Sequence, residues 1–324
     1  FLAAFPTVRA LAAGREQKVL RLWEGLGYYR RARQLHAAVK IIVAEHDGRF
    51  PNDLETLRRL PGIGRYTAGA IMSIAFDIPA PILEANTIRL LCRLLALRAD
   101  PTSTAAQKLL WQTAEELLPS RDVGHFNQAL MELGSLICSP RDPQCSQCPL
   151  SSLCPTYARN LQDLIPAIRR PPETEQVHEA AVLVHHRGRL LLRKCGQGER
   201  WAGLWDFPRF PLEKPIKPRP LVASSKNKTL AALVDGVSQQ TGVSIDEAEL
   251  FATLRHSVTR FRITLDCFTA TCADRGSRLS SRAAKKGLSE KRWVKPNELD
   301  DYPLSTTGRK LARLWLERAS VGAR

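Results

Sequence analysis

Four cysteines crowd into seventeen residues of this chain, spaced Cys138-x6-Cys145-x2-Cys148-x5-Cys154. Four thiolates on one short loop can close a tetrahedral shell around zinc or hold an iron-sulfur cluster. Zinc ribbons usually pair two close C-x2-4-C knuckles, whereas here only Cys145 and Cys148 are so paired. A second constellation is Leu60-Pro61-Gly62-Ile63-Gly64-Arg65-Tyr66. Two glycines two apart permit backbone dihedrals closed to other residues, and they leave the amides of Gly62, Gly64 and Arg65 beside a helix N-terminus, which suits a phosphate oxygen. The same residues also make an ordinary tight turn. Third, Glu84 and Asn86 precede an apolar helix. That puts a carboxylate at a positive helix end, where it either steadies developing positive charge or simply caps the helix. Fourth, Trp23-Glu24-Gly25-Leu26-Gly27-Tyr28-Tyr29 with Arg30, Arg31 and Arg33 joins glycines, adjacent tyrosines and cations at one corner. Such a corner offers a stacking face and phosphate charge, or it is a helix turn whose tyrosines complete the core.

The elements that position these residues can be read from punctuation and period. Asp53 caps a first helix, the glycine pair breaks it, and Arg65 to Phe76 resumes helix until Pro79 and Pro81 end it. Ile88, Leu91, Cys92 and Leu95 follow the i, i+3, i+4, i+7 pattern of a third helix. Arg15 to Ala44 reads as two helices around the tyrosine corner, and Leu109 to Leu118 and Phe126 to Ile137 as further helices. The opening FLAAFPTVRALAAG has no initiator Met and begins on bulky apolar residues without a cap. It reads as the middle of a helix-loop-helix unit whose true start is missing. LIPAIRRPPETEQ, with three prolines and mixed charge, is a semi-stiff linker. Beyond it, Glu179 to His186 and Arg189 to Lys194 read as strands about a turn, Leu230 to Gln240 as a helix, and Leu250 to Thr271 as more β-type sequence.

At 324 residues the chain is long enough for two domains, each with its own core. The net charge is +16; residues 1–170 hold 21 Lys+Arg against 15 Asp+Glu, and the remainder 27 against 17. So basic a balance points to a polyanionic partner without distinguishing DNA from RNA or an anionic membrane surface. No apolar run is long enough to span a bilayer, and no signal peptide is evident. Cysteines without a disulfide framework fit a reducing, cytosolic setting.

The L-P-G-I-G hairpin followed by a loop ending in an acid ahead of a helix resembles the helix-hairpin-helix DNA glycosylase superfamily. Glu84 stands where that superfamily carries an aspartate. GLGYYRRARQL and RYTAGAIMSI are similar to the MutY-type adenine glycosylases, in which a tyrosine wedges into DNA; Tyr28 is the matching residue. Members that also cut the backbone, like endonuclease III, carry a lysine after the hairpin arginine to form a Schiff base. Tyr66 cannot, so the resemblance implies a monofunctional glycosylase. The spacing of Cys138, Cys145, Cys148 and Cys154 looks like the [4Fe-4S] loop of the same families, and the cluster is expected to staple a basic loop against phosphate. W-x-G-L-W-D-F-P at 201–208 resembles the Nudix-like C-terminal domain of MutY-type enzymes. In a working Nudix hydrolase a glutamate-rich helix binds magnesium, and the matching positions here are Asp235, Gly236, Gln239, Gln240 and Gly242, which lack the needed anionic ligands. His256-Ser257-Val258-Thr259-Arg260 matches the loop that reads the partner base, with Thr259 keeping the hydroxyl and Arg260 replacing a histidine; otherwise it is an ordinary hairpin.

The fold class implied is a multidomain one. An all-α helix-hairpin-helix glycosylase domain spans 1–163 and includes the iron-sulfur loop 138–154. A linker at 164–177 then leads to an α/β Nudix-like base-recognition domain over 178–324. The activity implied is base-excision repair, removing adenine mispaired with 8-oxoguanine or guanine by hydrolysing its N-glycosidic bond. Glu84 is the anion facing the oxocarbenium-like sugar, Asn86 orients it or the sugar-phosphate, and Tyr66 packs against the reacting centre. The family's general-acid glutamate matches nothing after Phe1 and is placed upstream. Glu84 is one methylene longer than aspartate, and a misplacement of about 1 Å costs on the order of a hundredfold. A lesion-binding homologue without catalysis is therefore the alternative, with an endonuclease III-like lyase behind it. The partner expected is double-stranded DNA with an adenine mispair, bound by a monomer without membrane contact in a bacterial-type, nucleoid-associated cytoplasm.

Overall fold

A computed structural model describes residues 1–167, 173–213, 228–273 and 289–321. Residues 168–172 of the expected linker lie outside them. The chain divides into two compact units, 37–171 and a second made of 1–36 with 172–324. The boundary falls inside the helix Tyr29–Glu45 rather than only at the proline-rich segment.

Unit 37–171 is helical. Asp53 caps Leu54–Arg59, its carboxylate accepting from Thr56 N at 2.8 Å. That hydrogen bond holds the Asp53 carboxyl below its ordinary range. The chain turns through Gly62 at φ 80°, a left-handed conformation that disfavours any side chain, and re-enters helix at Arg65. Helix continues to Phe76 as read from sequence, but Ile71–Ala75 is a π-helical turn. A second π turn, Leu133–Ile137, ends the helix Val123–Glu132. Thr104–Glu116 starts five residues before the expected Leu109 because Ser103 caps it, accepting from Ala106 N at 3.3 Å. In the helix Ala85–Leu94, Leu91 and Cys92 are buried with Leu83, Leu110, Ala114 and Ile165. Leu95, expected on that apolar face, is the C-cap and 40% exposed, because the helix has ended there.

The other unit is built on one mixed sheet. Its strands are β1 (Glu175–His186), β2 (Arg189–Lys194), β3 (Trp205–Asp206), β4 (Arg209–Pro211), β5 (Ile245–Val258), β6 (Phe261–Cys272) and β7 (Lys291–Val294). The order is β3-β2-β1-β6-β5, with β4 on β1 and β7 on β2; β1 and β6 run parallel and the other pairs antiparallel. Alternation along β1 sends Ala181 and Leu183 to one core with Leu311 and Ala312 of the helix Thr306–Val321. Ala180, Val182 and Val184 go to the other, with Leu233 and Val237 of the helix Lys228–Thr241. Strands β3, β4 and β7 carry no strong sequence signal and were not anticipated; nor was the last helix, although Ser305 caps it and Leu311, Leu314 and Trp315 follow a helical period. β1 begins at Glu175, inside the segment read as linker.

Residues 1–36 pack onto this sheet unit. Val8–Ala13 is helical and does have a cap: Thr7 Oγ1 accepts from Ala10 N at 3.1 Å, correcting the reading of an uncapped start. Leu20, Tyr29 and Ala32 bury Leu204. Glu24 meets Arg309 in a two-pronged ion pair at 2.7 and 3.1 Å, both side chains about nine-tenths buried. Arg309 also donates to the carbonyls of Leu299 (2.9 Å) and Tyr302 (2.8 Å). A buried pair is costly to break from one side. Arg309→Met should therefore destabilise this unit by about 3–5 kcal/mol, and adding Glu24→Leu should recover most of the loss. Urea unfolding followed by tryptophan fluorescence measures both; additive losses would mean the pair is not coupled.

Candidate nucleic-acid and catalytic site

The hairpin, the acid and the cysteine loop all lie in unit 37–171. The amides of Gly62, Gly64 and Arg65 have no hydrogen-bond acceptor among the described residues, and these three residues are exposed. They form an outward-facing set of donors at the start of a helix. The Arg65 guanidinium lies 3.8 Å from the centre of the Trp111 ring, which fixes it beside the turn.

Glu84 caps the helix Ala85–Leu94. Its Oε1 accepts from the amides of Asn86 (2.9 Å) and Thr87 (3.0 Å), and Thr87 Oγ1 accepts from Glu84 N at 2.8 Å. The second carboxylate oxygen has no hydrogen-bond partner among the described residues. Burial, and then the charge of Glu84, push the half-buried Tyr66 hydroxyl above its usual range, so it stays neutral beside that carboxylate. The structure thus places the Tyr66 hydroxyl within the electrostatic reach of the Glu84 carboxylate, to which the Asn86 amide is hydrogen-bonded.

It also shows two residues that reasoning missed. Arg89 donates to Asn86 Oδ1 (2.8 Å), Cys138 O (2.7 Å) and Gly134 O (2.5 Å). A Cβ on Gly134 would sit 2.8 Å from Asn86 Cβ, so only glycine allows this approach. Arg93, 3% exposed, donates to Ile165 O and Gln162 O (both 2.9 Å), Ser139 O (2.9 Å) and Cys138 Sγ (3.3 Å). Their only sequence signal is two arginines one turn apart on an otherwise apolar helix.

Cys138, Cys145, Cys148 and Cys154 are all free thiols and line one cavity with Arg93. Among the described residues no three His, Cys, Asp or Glu side chains converge as a site for one metal ion; the thiols are spread around the cavity wall. A soft donor set of four, with a cation beside it to offset thiolate charge, fits an iron-sulfur group.

In the sheet unit, the adjacent tyrosines divide. Tyr29 is buried, while Tyr28, at φ 46°, is 76% exposed with the Arg31 guanidinium 5.0 Å from its ring centre. The corner is braced by Trp23 Nε1 donating to Gly27 O at 3.0 Å. Thr259 and Arg260 form a two-residue turn between β5 and β6, both exposed, with Val258 paired to Phe261. Thr259 Oγ1 donates to Val258 O at 2.7 Å, and Arg260 lies 3.8 Å from Glu175. On the helix where a Nudix hydrolase would hold magnesium, Asp235, Gln239 and Gly242 are exposed and Gly236 faces the Phe210 ring. Gln240 brackets the Arg209 backbone instead, accepting from its N (3.0 Å) and donating to its O (2.6 Å).

Two family models match this chain. One, described as HhH-GPD superfamily base excision DNA repair protein, covers residues 1–116, and the other, NUDIX domain, covers 179–314. The first third of the chain thus matches the helix-hairpin-helix base-excision repair proteins, and a Nudix-like stretch follows it. More narrowly, the chain is a homologue of the adenine DNA glycosylases. The mouse adenine DNA glycosylase is 39% identical over 216 residues, 66% of this chain and 41% of the relative. That of Schizosaccharomyces pombe is 31% identical over 281 residues, 74% of this chain and 61% of the relative. The chain therefore spans between about two fifths and three fifths of these curated relatives. A thermostable thymine-DNA glycosylase structure superposes partially, at 28% identity and a TM-score of 0.45 over 49% of this chain and 73% of that one.

Near the Thr259–Arg260 turn, His256 is pushed down to about 4 by burial and then by Arg209, whose Nη2 is 3.3 Å from its Nε2. Because the folded-state value lies below the unfolded value of about 6.5, the unfolded chain binds the extra proton between those two values. This contribution to stability is full above about pH 6.5 and is lost as pH falls toward 4. His256→Gln should flatten that part of the pH dependence, read as the difference in urea midpoint between parent and variant from pH 7 to pH 4; parallel curves would count against it.

Proposed function

We propose that this chain acts as a monofunctional adenine DNA glycosylase on adenine opposite 8-oxoguanine or guanine in duplex DNA. The observation that carries the reading is the Glu84 carboxylate. It is held by two amides at a helix N-terminus through one oxygen, has its other oxygen uncommitted among the described residues, and stands beside a neutral Tyr66. A fixed anion so placed is suited to an oxocarbenium-like sugar, whose positive charge develops only in the transition state. Asn86, tied to Arg89, keeps the approach to that carboxylate in one geometry. Without an amine at position 66 no imine can form, and water adds to the sugar carbon as adenine leaves.

The remaining residues serve the extrusion that precedes chemistry. Taking adenine out of the stack costs a few kcal/mol, and an exposed aromatic ring inserted in its place recovers part of it. Tyr28, braced in a left-handed turn and backed by Arg31, is assigned that part. The amides at Gly62, Gly64 and Arg65 hold a phosphate, and Thr259 and Arg260 meet the partner base. Cys138, Cys145, Cys148 and Cys154 would hold the [4Fe-4S] cluster, which supplies a rigid staple and no step of the hydrolysis. The cytoplasm, which keeps these thiols reduced, is the compartment proposed.

Glu84→Gln should bind a duplex with adenine opposite 8-oxoguanine about as well as the parent. It should release adenine roughly ten- to a thousandfold more slowly in single-turnover assays. Release at the parental rate would make Glu84 a helix cap only. The capping-box geometry itself favours one second reading, a lesion binder that has lost catalysis; no release by the parent, restored by Glu84→Asp, would establish it. The purified protein should contain about four iron atoms and absorb broadly in the visible blue, and Cys148→Ser should remove both features. Stoichiometric zinc without iron would sink the cluster.

A further inference from the structure

The hairpin of β5 and β6 has a feature that the base-reading role does not use. Register puts Arg255 opposite Thr264 and Ser257 opposite Arg262, and on the neighbouring β1 sets Gln176 beside Arg262 and His178 beside Thr264. Paired residues share a face, so one side of this end of the sheet carries two guanidiniums, two hydroxyls, an amide and an imidazole. Arg255 and Arg262 sit diagonally, about 7–8 Å apart at the backbone and somewhat closer at Cβ. Both are exposed, and neither has a salt-bridge partner among the described residues. On the same face toward the core, Thr253 and Asp266 satisfy each other at 2.8 Å, so the acid nearest in register is already engaged. Gln176, Arg255, Ser257, Arg262 and Thr264 line an open cleft of about 480 Å³. That is within the roughly 300–1,000 Å³ usual for ligand sites. His178 Nδ1 is buried beside them without a hydrogen-bond partner among the described residues.

We propose that this cleft is a phosphate site that takes one backbone phosphodiester of the DNA strand whose base meets Thr259 and Arg260. Two unpaired like charges held side by side repel until an anion lies between them, and guanidinium forks match phosphate oxygens in geometry. Ser257 and Thr264 add donors to the same anion. Ser257 is two residues from Thr259, about 7 Å along the strand, so one DNA strand can touch both turn and cleft. The site does not read sequence; it fixes the height at which the turn meets the base. The inference rests on the DNA-binding part of the proposed function.

The test is fluorescence anisotropy of the 324-residue chain on a labelled duplex containing adenine opposite 8-oxoguanine, across a series of salt concentrations. Arg255→Ser with Arg262→Ser should make the slope of log K against log salt shallower by about 0.9, as for one phosphate released, and weaken binding roughly tenfold at about 0.1 M salt. Duplexes with and without the mispair should lose affinity alike. Lys310→Ser with Arg313→Ser, two exposed cations on the last helix, removes the same charge elsewhere and should leave the slope in place. An unchanged slope in the Arg255 and Arg262 variant, or an equal change in the control, overturns the cleft while leaving DNA binding intact. If the parent does not bind duplex at all, the DNA-binding reading itself has failed and the cleft falls with it. Saturation of the Arg255 and Arg262 side-chain NMR signals by deoxyguanosine monophosphate alone would assign the site to a free nucleotide and overturn the backbone assignment.

Discussion

The buried guanidinium of Arg93 is the constraint on which the helical unit most depends. A charge 3% exposed is far from water and is tolerable only when its donors are all used. Arg93 uses them on three backbone carbonyls in two separate segments, at Ser139 and at Gln162 and Ile165, and on the Cys138 thiol. Arg89, one turn earlier, does the same toward Cys138, Gly134 and Asn86. The helix that begins at Glu84 is thereby anchored to the loop that carries the cysteines. Catalytic candidate and cluster candidate are parts of one polar network, the loop carbonyl of Cys138 being linked to the carboxylate through Arg89 and Asn86.

The sheet unit follows the same rule with different partners. Arg309 joins Glu24 to the carbonyls of Leu299 and Tyr302, and Arg209 joins Glu179 to Thr307 and to the His256 ring. The corner bearing Tyr28 is consequently held by residues almost 300 positions away in sequence. Tyr28 is exposed, yet the corner that carries it is not loose. Exposure is provided by the left-handed turn, and rigidity by the buried pair beneath it. Gln240 shows a related exchange: at a position where carboxylates would bind magnesium in a hydrolase, an amide closes two hydrogen bonds to the backbone of β4. The helix keeps its place on the sheet through the amide.

Local signals were legible in the sequence wherever a short stretch carries its own physics. The Gly62 turn, the Asp53 and Glu84 caps and the helices from Tyr29 and Arg65 all follow from caps, breakers and period over a few residues. The cysteine spacing and the hairpin pointed to the family, and the likeness to adenine DNA glycosylases agrees with that reading. Strands β3, β4 and β7 were not legible, because strands of two to four residues carry too little alternation to stand out. Thr7 and Ser103 show the limit for caps: each is an ordinary hydroxyl until the helix behind it is known.

By itself, then, the sequence determined the local elements, the residue types available for chemistry and the basic charge that suits DNA, since these depend on near neighbours and composition. Tertiary structure alone decided which of two adjacent tyrosines is buried, where the first thirty-six residues pack, and what Arg89, Arg93, Arg209 and Arg309 are for. The reason is desolvation. An arginine on a helix or strand reads as a surface residue until the fold removes its water, and only the folded chain brings up the distant carbonyls and carboxylates that make its burial tolerable.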